Sequence, residues 1–301
     1  LFECDIDLQY YQTLSSFMNN SCEYYLEDSF IKYCKQISHV DADLSMIHTN
    51  LRSLPKHVTE FQAYLEGLNM EFTIIGITET WLTDVSVDLY SFKGYNIVNN
   101  VRRHKKGGGT ALIIKENVSY EIRTDLTINN MYMESVFIEI QTSNNSVITK
   151  TIIGVVYRPP NTCIDSFNFH MNETLDKIKT ERKKCYIMGD FNINLLNADH
   201  HAGTSNFLDI MYSHSFFPMI TKPTRVTNNS ATLIDNIYFN DYTNNDQYSG
   251  IMYTDISDHY PIFNISKSEH IKQNEKYIKM RNYSEENIKK FESALKSENW
   301  D

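Results

Sequence analysis

The chain has 301 residues, of which 41% are hydrophobic and 13% aromatic. It can therefore fill a sizeable core, which excludes wholesale disorder. No run approaches the roughly 20 consecutive apolar residues of a membrane span, so we expect no membrane contact. The net charge of −10 argues against a general binder of nucleic acid, because phosphate binding relies on cations. The charge does not exclude an enzyme whose bound metal and basic loops offset the acid locally.

The cysteines indicate the redox environment of the protein. They are Cys4, Cys22, Cys34, Cys163 and Cys185. An odd number without Cys-x-x-Cys spacing fits reduced thiols better than a disulfide scaffold or a zinc site. The first residues have neither the basic region nor the apolar run of a signal peptide, so we expect an intracellular protein.

Residues 1–38 form an aromatic, acidic segment that contains no glycine or proline. Apolar side chains recur there at helical spacing, around residues 14–18 and 25–34. We predict an N-terminal helical extension that either packs on the main domain or tethers it.

Residues 39–266 alternate short apolar strands with amphipathic helices, and we predict one domain there. The predicted strands are 44–48, 72–78, 111–114, 136–140, 147–157, 185–189, 233–239 and 259–265. The predicted helices are 55–68, which opens with proline, 167–178 and 205–212. This pattern favours an α/β fold with two packed sheets and helices outside them. Residues 267–301 predict a charged helical linker, with a helical run over 284–295, toward a possible downstream domain.

Four predicted strands end in polar side chains that a simple core strand would not need. These side chains are Asn50, Glu79, the pair Asp190 and Asn192, and the pair Asp258 and His259. Each has an ordinary structural interpretation, since Asp-x-Asn commonly forms a turn and a lone histidine is usually satisfied structurally. Loops at strand ends also present functional groups on a rigid scaffold. The joint occurrence of all these residues, in this order, favours one shared site.

The strings that carry these side chains are Thr-Glu-Thr-Trp at 78–81, Gly-Asp-Phe-Asn at 189–192 and Ser-Asp-His-Tyr-Pro at 257–261. Together they resemble the endonuclease/exonuclease/phosphatase superfamily. A narrower resemblance, to the apurinic-endonuclease-like domain of non-LTR (LINE-type) retrotransposons, covers residues 43–266. It rests on His-Thr-Asn-Leu-Arg-Ser at 48–53, Glu-Thr-Trp-Leu at 79–82, Gly-Gly-Gly at 107–109, Val-Tyr-Arg-Pro-Pro at 156–160 and Thr-Leu-Ile-Asp-Asn at 232–236. The resemblance implies a DNase I-like fold, a four-layer α/β/β/α sandwich of two packed mixed sheets flanked by helices.

The resemblance also implies a hydrolase of phosphodiester bonds that uses Mg²⁺ or Mn²⁺. Such a reaction needs a cation to neutralise developing charge, a positioned water and help for the leaving oxygen. The implied metal ligands are Glu79, Asn50 and Asp258. Carboxylates and other oxygen ligands suit these hard cations.

The resemblance implies five catalytic residues, Asp190, Asn192, His259, Asp235 and Tyr157. Asp190 would deprotonate the attacking water, and Asn192 would hold the scissile phosphate. His259 would donate a hydrogen bond or proton to a phosphate oxygen, with its ring oriented by Asp235. Tyr157 would contact the phosphate or the leaving group.

A basic run precedes the three glycines between two predicted strands. It consists of Arg102, Arg103, His104, Lys105 and Lys106. One interpretation is a solvated hairpin tip, and the other is a mobile loop that touches DNA phosphates through its arginines and lysines. It is not a P-loop, because no Gly-Lys-Ser/Thr follows. The resemblance also places Thr224 and Arg225 beside the DNA minor groove.

The activity implied by the resemblance is a nick in one strand of double-stranded DNA that leaves a 3′-hydroxyl. In such a retrotransposon polyprotein, that end primes a downstream reverse transcriptase domain. The chain has no initiator methionine, and we expect it to be part of such a polyprotein that acts in the nucleus. No obligate protein partner is evident.

Three alternatives stay open, because a superfamily does not fix a substrate. Repair-type apurinic endonucleases usually have Trp or Leu before the second aspartate and an aromatic after it, where this chain has Ile234 and Asn236. Phosphoinositide phosphatases usually have Cys-Asp-Arg there and an arginine after Asp-x-Asn, where this chain has Asn194. An inactive binding module would have lost its metal ligands, which are present here.

Overall fold

Two mixed β-sheets pack face to face in this chain and carry helices on their outer faces. The computed structural model describes residues 22–37, 43–144, 147–241, 247–271 and 285–298. The helices are α1 (Glu27–Ile37), α2 (Leu54–Gly67), α3 (Ile164–Glu181), α4 (Ala202–Ser213) and α5 (Glu285–Ser297). The strands are β1 (Glu23–Tyr25), β2 (Asp43–Asn50), β3 (Ile74–Thr78), β4 (Tyr95–Asn100), β5 (Thr110–Lys115), β6 (Tyr120–Ile122), β7 (Glu134–Asn144), β8 (Val147–Tyr157), β9 (Lys184–Asp190), β10 (Phe217–Pro218), β11 (Arg225–Thr227), β12 (Ser230–Thr232), β13 (Asp235–Phe239), β14 (Gln247–Met252) and β15 (Ile262–Ile271).

The strand order defines the two sheets. The first sheet runs β10-β13-β9-β8-β7, with β6 on β7, and the second runs β4-β5-β3-β2-β15, with β14 and β1 beyond β15. Pairing between the ends of β7 and β15 joins both into one continuous 13-stranded sheet. The pairs β2–β3, β8–β9 and β1–β14 are parallel, which makes both sheets mixed. Strands β11 and β12 form a separate hairpin.

The space between the sheets is filled by aliphatic side chains. Ile74 and Leu112 of the second sheet share one buried cluster with Val155 and Met188 of the first. A Cβ on Gly76 would lie 2.5 Å from Met188 Sδ and 2.7 Å from Val155 Cγ2. The sheets therefore approach each other at Gly76 too closely for a larger residue.

The outer faces of the sheets are covered by the helices. Strand β3 is buried on both faces, so its sequence reads as a continuous apolar run. Ile75 and Ile77 of β3 belong to a cluster with Phe61 of α2. Phe167 of α3 and Phe207 of α4 belong to the cluster that covers the first sheet. The predicted four-layer α/β/β/α sandwich is confirmed.

The described part of the N-terminal segment is built into the second sheet. Strand β1, which the sequence did not predict, pairs with β14, and α1 buries Phe30 and Cys34. The Phe30 ring lies edge-on to Phe263, with centroids 4.9 Å apart. The predicted helix around residues 14–18 lies outside the described residues. The predicted domain limits remain a prediction, although β15 continues past residue 266 to Ile271.

Each predicted helix or strand of residues 39–266 is present in the structure as the predicted type, although most begin or end at different residues. Strand β8 covers residues 147–157 as predicted. The last strand begins at Ile262 rather than at His259, because residues 257–261 form a loop that ends at Pro261, which cannot donate to a ladder. Strands β1, β4, β6, β10, β11, β12 and β14 were not predicted, since they are short or mix polar with apolar residues.

Two expectations from composition concern the described residues. Cys22, Cys34, Cys163 and Cys185 are free thiols, and Cys4 lies outside these residues. In the part of the chain that the structure describes, no helix combines the length and apolarity needed to span a membrane.

Candidate active site

The polar strand ends meet at one edge of the sandwich. Asn50 ends β2 opposite Thr78, the last residue of β3. In the first sheet, Tyr157 ends β8 opposite Asp190, and Asp190 also lies opposite Asp235 at the start of β13. Side chains from both sheets are thereby brought to the same edge.

Asn50 links the two sheets within the site. Its side chain is completely buried, and its Nδ2 donates to Glu79 Oε1 at 3.0 Å and to Asp190 Oδ2 at 2.8 Å. Its Oδ1 accepts from the backbone N–H of Arg52 at 3.0 Å. In this arrangement Asn50 holds two carboxylates that come from different sheets.

Glu79 is held by three donors. Besides Asn50, the Tyr157 hydroxyl donates to Oε1 and the Trp81 indole to Oε2, both at 3.1 Å. Glu79 has a φ of 52° and Trp81 a φ of 55°, a left-handed conformation that is uncommon outside glycine. This turn aims the Glu79 carboxylate back into the site.

Asp190 is buried and supported by the residue two positions after it. Asn192 donates to Asp190 through its backbone N–H at 2.9 Å and through Nδ2 at 3.1 Å. Burial and the neighbouring Asp235 carboxylate raise the pKa of Asp190 to about 7, against the opposing effects of His259 and Asn50. A carboxylate with a pKa near neutrality can exchange a proton with water at physiological pH.

Asp235 and His259 form a buried pair. His259 Nδ1 lies 2.9 Å and 3.1 Å from the two Asp235 oxygens, and the Thr224 hydroxyl donates to Asp235 Oδ2 at 2.7 Å. Burial alone would lower the pKa of His259, but the Asp235 and Asp190 carboxylates raise it to about 9. Burial would raise the pKa of Asp235, yet His259 holds it below the usual range. The pair is therefore an imidazolium beside a carboxylate at neutral pH, with Nε2 as the ring nitrogen not used by Asp235.

Asp258 has arginines on only one of its two carboxylate oxygens. Its Oδ2 accepts from Arg225 at 2.7 Å and 2.9 Å and lies 3.1 Å from Arg52 Nη1. Its Oδ1 is buried and has no hydrogen-bond partner among the described residues. The arginines occupy one oxygen of Asp258 and leave the other as the only oxygen it could offer a cation.

The oxygen donors of the site fit Mg²⁺ or Mn²⁺. Glu79 and Asp190 are carboxylates held by one amide, and the unsatisfied Asp258 Oδ1 is the kind of buried atom that an ion or water normally completes. Ligand atoms of Asp190, Asp235 and His259 lie within 4.8 Å of one another, in the one such cluster found among the described residues, and of these the carboxylate oxygens, not the charged His259 ring, could bind a cation. The residues present therefore suit a hard divalent cation.

The residues predicted to contact DNA divide into two groups. Arg102 and Thr224 are buried, and their side chains bind Glu134 and Asp235. Neither side chain presents a surface to a phosphate in this structure. We therefore correct their predicted role: both support neighbouring residues instead of contacting DNA. Arg103 is exposed and pairs with Asp84, Arg225 is partly exposed on Asp258, and Lys105 and Lys106 are exposed.

Sequence reasoning assigned no role to three residues that the structure places around the site. Trp81 binds Glu79, Glu134 binds Arg102, and Arg158 donates to the Asn192 carbonyl at 2.9 Å. Trp81 and Arg158 lie within the family-like strings at 79–82 and 156–160, which are the only sequence signal for them. Nothing in the local sequence marks Glu134.

The fold and the site define a class: a two-sheet α/β sandwich whose edge carries carboxylates and a charged imidazole suited to phosphate chemistry. The sequence profile of the Endonuclease/Exonuclease/phosphatase family matches residues 38–259. The chain belongs to this family of phosphodiester hydrolases, whose nucleases generally use divalent metals. A search of curated proteins found no match.

Solved structures share the fold at low sequence identity. The endonuclease domain of TRAS1, a telomere-specific non-LTR retrotransposon, is 13% identical, with a TM-score of 0.59 over 75% of this chain and 99% of that domain. The catalytic domain of Xenopus laevis APE2 is 16% identical, with a TM-score of 0.61 over 77% and 94%. The 3′ phosphatase NExo from Neisseria, bound to a product DNA hairpin, is 13% identical, with a TM-score of 0.52 over 73% and 98%.

Proposed function

We propose that this chain is an Mg²⁺- or Mn²⁺-dependent endonuclease that nicks one strand of double-stranded DNA and leaves a 3′-hydroxyl. The observation that carries the proposal is the meeting of Glu79, Asp190 and the Asp235–His259 pair at one edge of the sandwich. These groups supply oxygen ligands, a proton acceptor and a cationic hydrogen-bond donor. Hydrolysis of a phosphodiester requires all three.

Each side chain has a defined task in this proposal. Glu79, with Asp258 Oδ1, would hold the cation, which when bound neutralises charge on the phosphate. Asn50, predicted as a ligand, holds Glu79 through Nδ2 and has its Oδ1 on the Arg52 N–H, so it would orient Glu79 for the cation. Asp190 accepts the proton of the attacking water, a task that suits its raised pKa of about 7. His259 donates from Nε2 to a phosphate oxygen while Asp235 fixes its ring.

Besides Asn50, two residues differ from their predicted tasks in the conformation described. Asn192 Nδ2 donates to Asp190 and to the Arg158 carbonyl, so it orients Asp190 before it holds any phosphate. The Tyr157 hydroxyl donates to Glu79, so its first task is to hold this proposed ligand. Contacts of either residue with a phosphate would require exchange of these bonds.

The retrotransposon context is part of the proposal. The motif strings resemble LINE-type endonucleases, and TRAS1, a retrotransposon endonuclease domain, has a similar fold. We therefore propose a polyprotein in which a reverse transcriptase domain uses the 3′-hydroxyl, with chromosomal DNA in the nucleus as the substrate.

The alternatives receive less support from the environment of Asp235. The Asn236 side chain is buried and bonds the backbone of residues 219–220, so this position presents no aromatic to an abasic site. Asn194 caps the adjacent 3₁₀ turn and binds the Leu233 N–H, so it offers no cation to an inositol phosphate. A repair-type apurinic endonuclease or a phosphoinositide phosphatase would need other residues for these contacts.

The proposal is tested on supercoiled plasmid with Mg²⁺ or with EDTA. We expect metal-dependent conversion to open circles whose ends a DNA polymerase extends without prior treatment. Asp190→Ala is the control, with open circles expected at no more than background. Cleavage only of abasic DNA would favour the repair enzyme, and phosphate release from a phosphoinositide would favour the phosphatase.

A further inference from the structure

Arg102 is buried although its basic neighbours are exposed. Its side chain is only 7% exposed and forms an ion pair with Glu134, which is 1% exposed. The other Glu134 oxygen accepts from the backbone N–H of Gly109 at 2.6 Å. Glu134 therefore ties Arg102 to the glycine run at 107–109.

The glycine run encloses the guanidinium and holds the turn that carries Glu79. Gly107, Gly108 and Gly109 all have positive φ, and a Cβ on Gly108 would lie 2.1 Å from Arg102 Cζ. The Gly108 carbonyl accepts from the Trp81 N–H at 2.8 Å, and the Gly109 carbonyl accepts from the Thr80 N–H at 3.3 Å. Glycine is required here for both its conformation and its lack of a side chain.

Arg102 also lies over the Tyr157 ring. Its Cζ is 5.6 Å from the ring centroid, within the range of a cation–π contact. Tyr157 in turn donates to Glu79 Oε1. Arg102 therefore reaches Glu79 by two routes, through the Tyr157 ring and through the glycine run.

We propose that Arg102 is a positioning residue that fixes Glu79 for cation binding through Tyr157 and the Gly108–Gly109 backbone, with Glu134 as its anchor. This inference rests on the proposed function, since it assigns Glu79 to the cation. Lysine does not replace arginine at this position, because an ammonium has no planar face for Tyr157 and no donor in the place of Nε, the atom through which Arg102 contacts Glu134.

The test measures cation binding directly, by the electron paramagnetic resonance of free Mn²⁺ during titration of the full chain. We expect Arg102→Ala to weaken Mn²⁺ binding roughly tenfold, and Arg102→Lys to restore it only in part. We expect Tyr157→Phe to weaken Mn²⁺ binding as well. In the double variant of Arg102→Ala with Tyr157→Phe, the loss of Mn²⁺ binding free energy is expected to be smaller than the sum of the two single losses, because both residues act along one chain of contacts.

Arg123→Ala is the matched control. Arg123 is also a mostly buried arginine in ion pairs, with Glu139 and Glu181, but it does not touch the site. We expect it to lower the Tm without changing Mn²⁺ binding. All variants are compared below their Tm, where circular dichroism verifies folding.

The outcomes separate this inference from the proposed function. If the wild type binds Mn²⁺ but does not nick DNA, the nuclease proposal fails, and the variants still decide the role of Arg102. Unchanged Mn²⁺ binding in folded Arg102→Ala overturns the inference even if nicking is normal in the wild type. Absence of Mn²⁺ binding by the wild type overturns both.

Discussion

Two carboxylates lie side by side at the centre of the site, and their neighbours shift their pKa values in opposite directions. Asp190 and Asp235 are opposite each other in adjacent strands, and both are buried. His259 lies against Asp235 and keeps it ionised, whereas Asp190 receives only neutral donors and has a pKa of about 7. Environments that give two acids such different pKa values suit them to different roles, which in the proposed mechanism are orientation for Asp235 and proton transfer for Asp190.

The first prediction concerns Asp190→Asn. We expect nicking to fall at least about 100-fold, because an amide cannot accept the proton of water. The same change removes a buried carboxylate that resists ionisation, so in EDTA at pH 8 the variant has a Tm no lower than the wild type. A variant that nicks normally would contradict the assignment of Asp190.

The second prediction concerns pH and stability without metal. His259 has a pKa raised to about 9, so its contribution is complete below its ordinary value of 6.5 and is lost as the pH rises through 9. The raised pKa of Asp190 acts in the same direction, but between its ordinary value of 3.8 and about 7, so mostly below this range of pH. The Tm in EDTA is therefore expected to fall between pH 6.5 and 9.

The Asp235→Asn variant is the control for that prediction. Without the carboxylate, His259 loses the main cause of its raised pKa, so the fall in Tm above pH 6.5 becomes shallower. The stabilisation involved is on the order of 2–3 kcal/mol for the wild type. Equal pH profiles for both proteins would argue against the charged pair.

At the scale of elements, the segment before β2 is part of the sandwich. Helix α1 places Phe30 against Phe72 and Phe263, with ring centroids 6.0 Å and 4.9 Å apart. Strand β1 extends the second sheet beyond β14. These contacts make α1 a contributor to stability, independent of catalysis.

The third prediction follows from the burial of α1. Phe30→Ala removes a completely buried ring and is expected to lower the free energy of unfolding by about 3–5 kcal/mol in urea. Phe291→Ala on α5 is the matched control, because that ring is 64% exposed, and little change is expected. Similar losses for both variants would show that α1 does not pack as described.

The fourth prediction compares two glycines with positive φ. Gly108 and Gly94 have φ of 68° and 81°, but only Gly108 faces a side chain, since a Cβ on Gly94 meets nothing within 4 Å. Alanine at either position costs about 1–2 kcal/mol in backbone strain. Only Gly108→Ala also displaces Arg102, so only that variant is expected to need more Mg²⁺ for half-maximal nicking.

At the scale of the whole molecule, the site exists only where two sheets meet. Glu79 and Asn50 come from the second sheet, and Asp190 and Asp235 from the first. The molecule carries a net charge of −10, so its overall field opposes a DNA backbone. Under the proposed function, binding to DNA would therefore depend on local basic side chains.

The fifth prediction follows from that charge. The logarithm of DNA affinity is expected to fall only shallowly with the logarithm of salt concentration, because few phosphates are neutralised. Replacing both Lys105 and Lys106 with alanine is expected to reduce the slope by about 2. A steep dependence of DNA affinity on salt that persists in this double variant would indicate that DNA binds elsewhere on the surface.

The sequence by itself determined the sandwich and most of the candidate site. Apolar runs such as 74–78 identify buried strands, since their burial on both faces leaves a local signal. Polar residues directly after those runs, such as Glu79 and Asp190, then lie at one edge because neighbouring strands end together. Both inferences depend on properties of short segments.

Only the tertiary structure decided which polar side chains face each other. Arg102 is buried on Glu134, and Asp258 is paired with Arg225 and Arg52, through contacts between residues far apart in the chain. Burial and ion pairing depend on these distant contacts, which the local sequence does not reveal. The charge run at 102–106 therefore predicted exposure for all its residues, including Arg102. Strand β1 was missed for the same reason, because three residues acquire strand structure only when β14 is beside them.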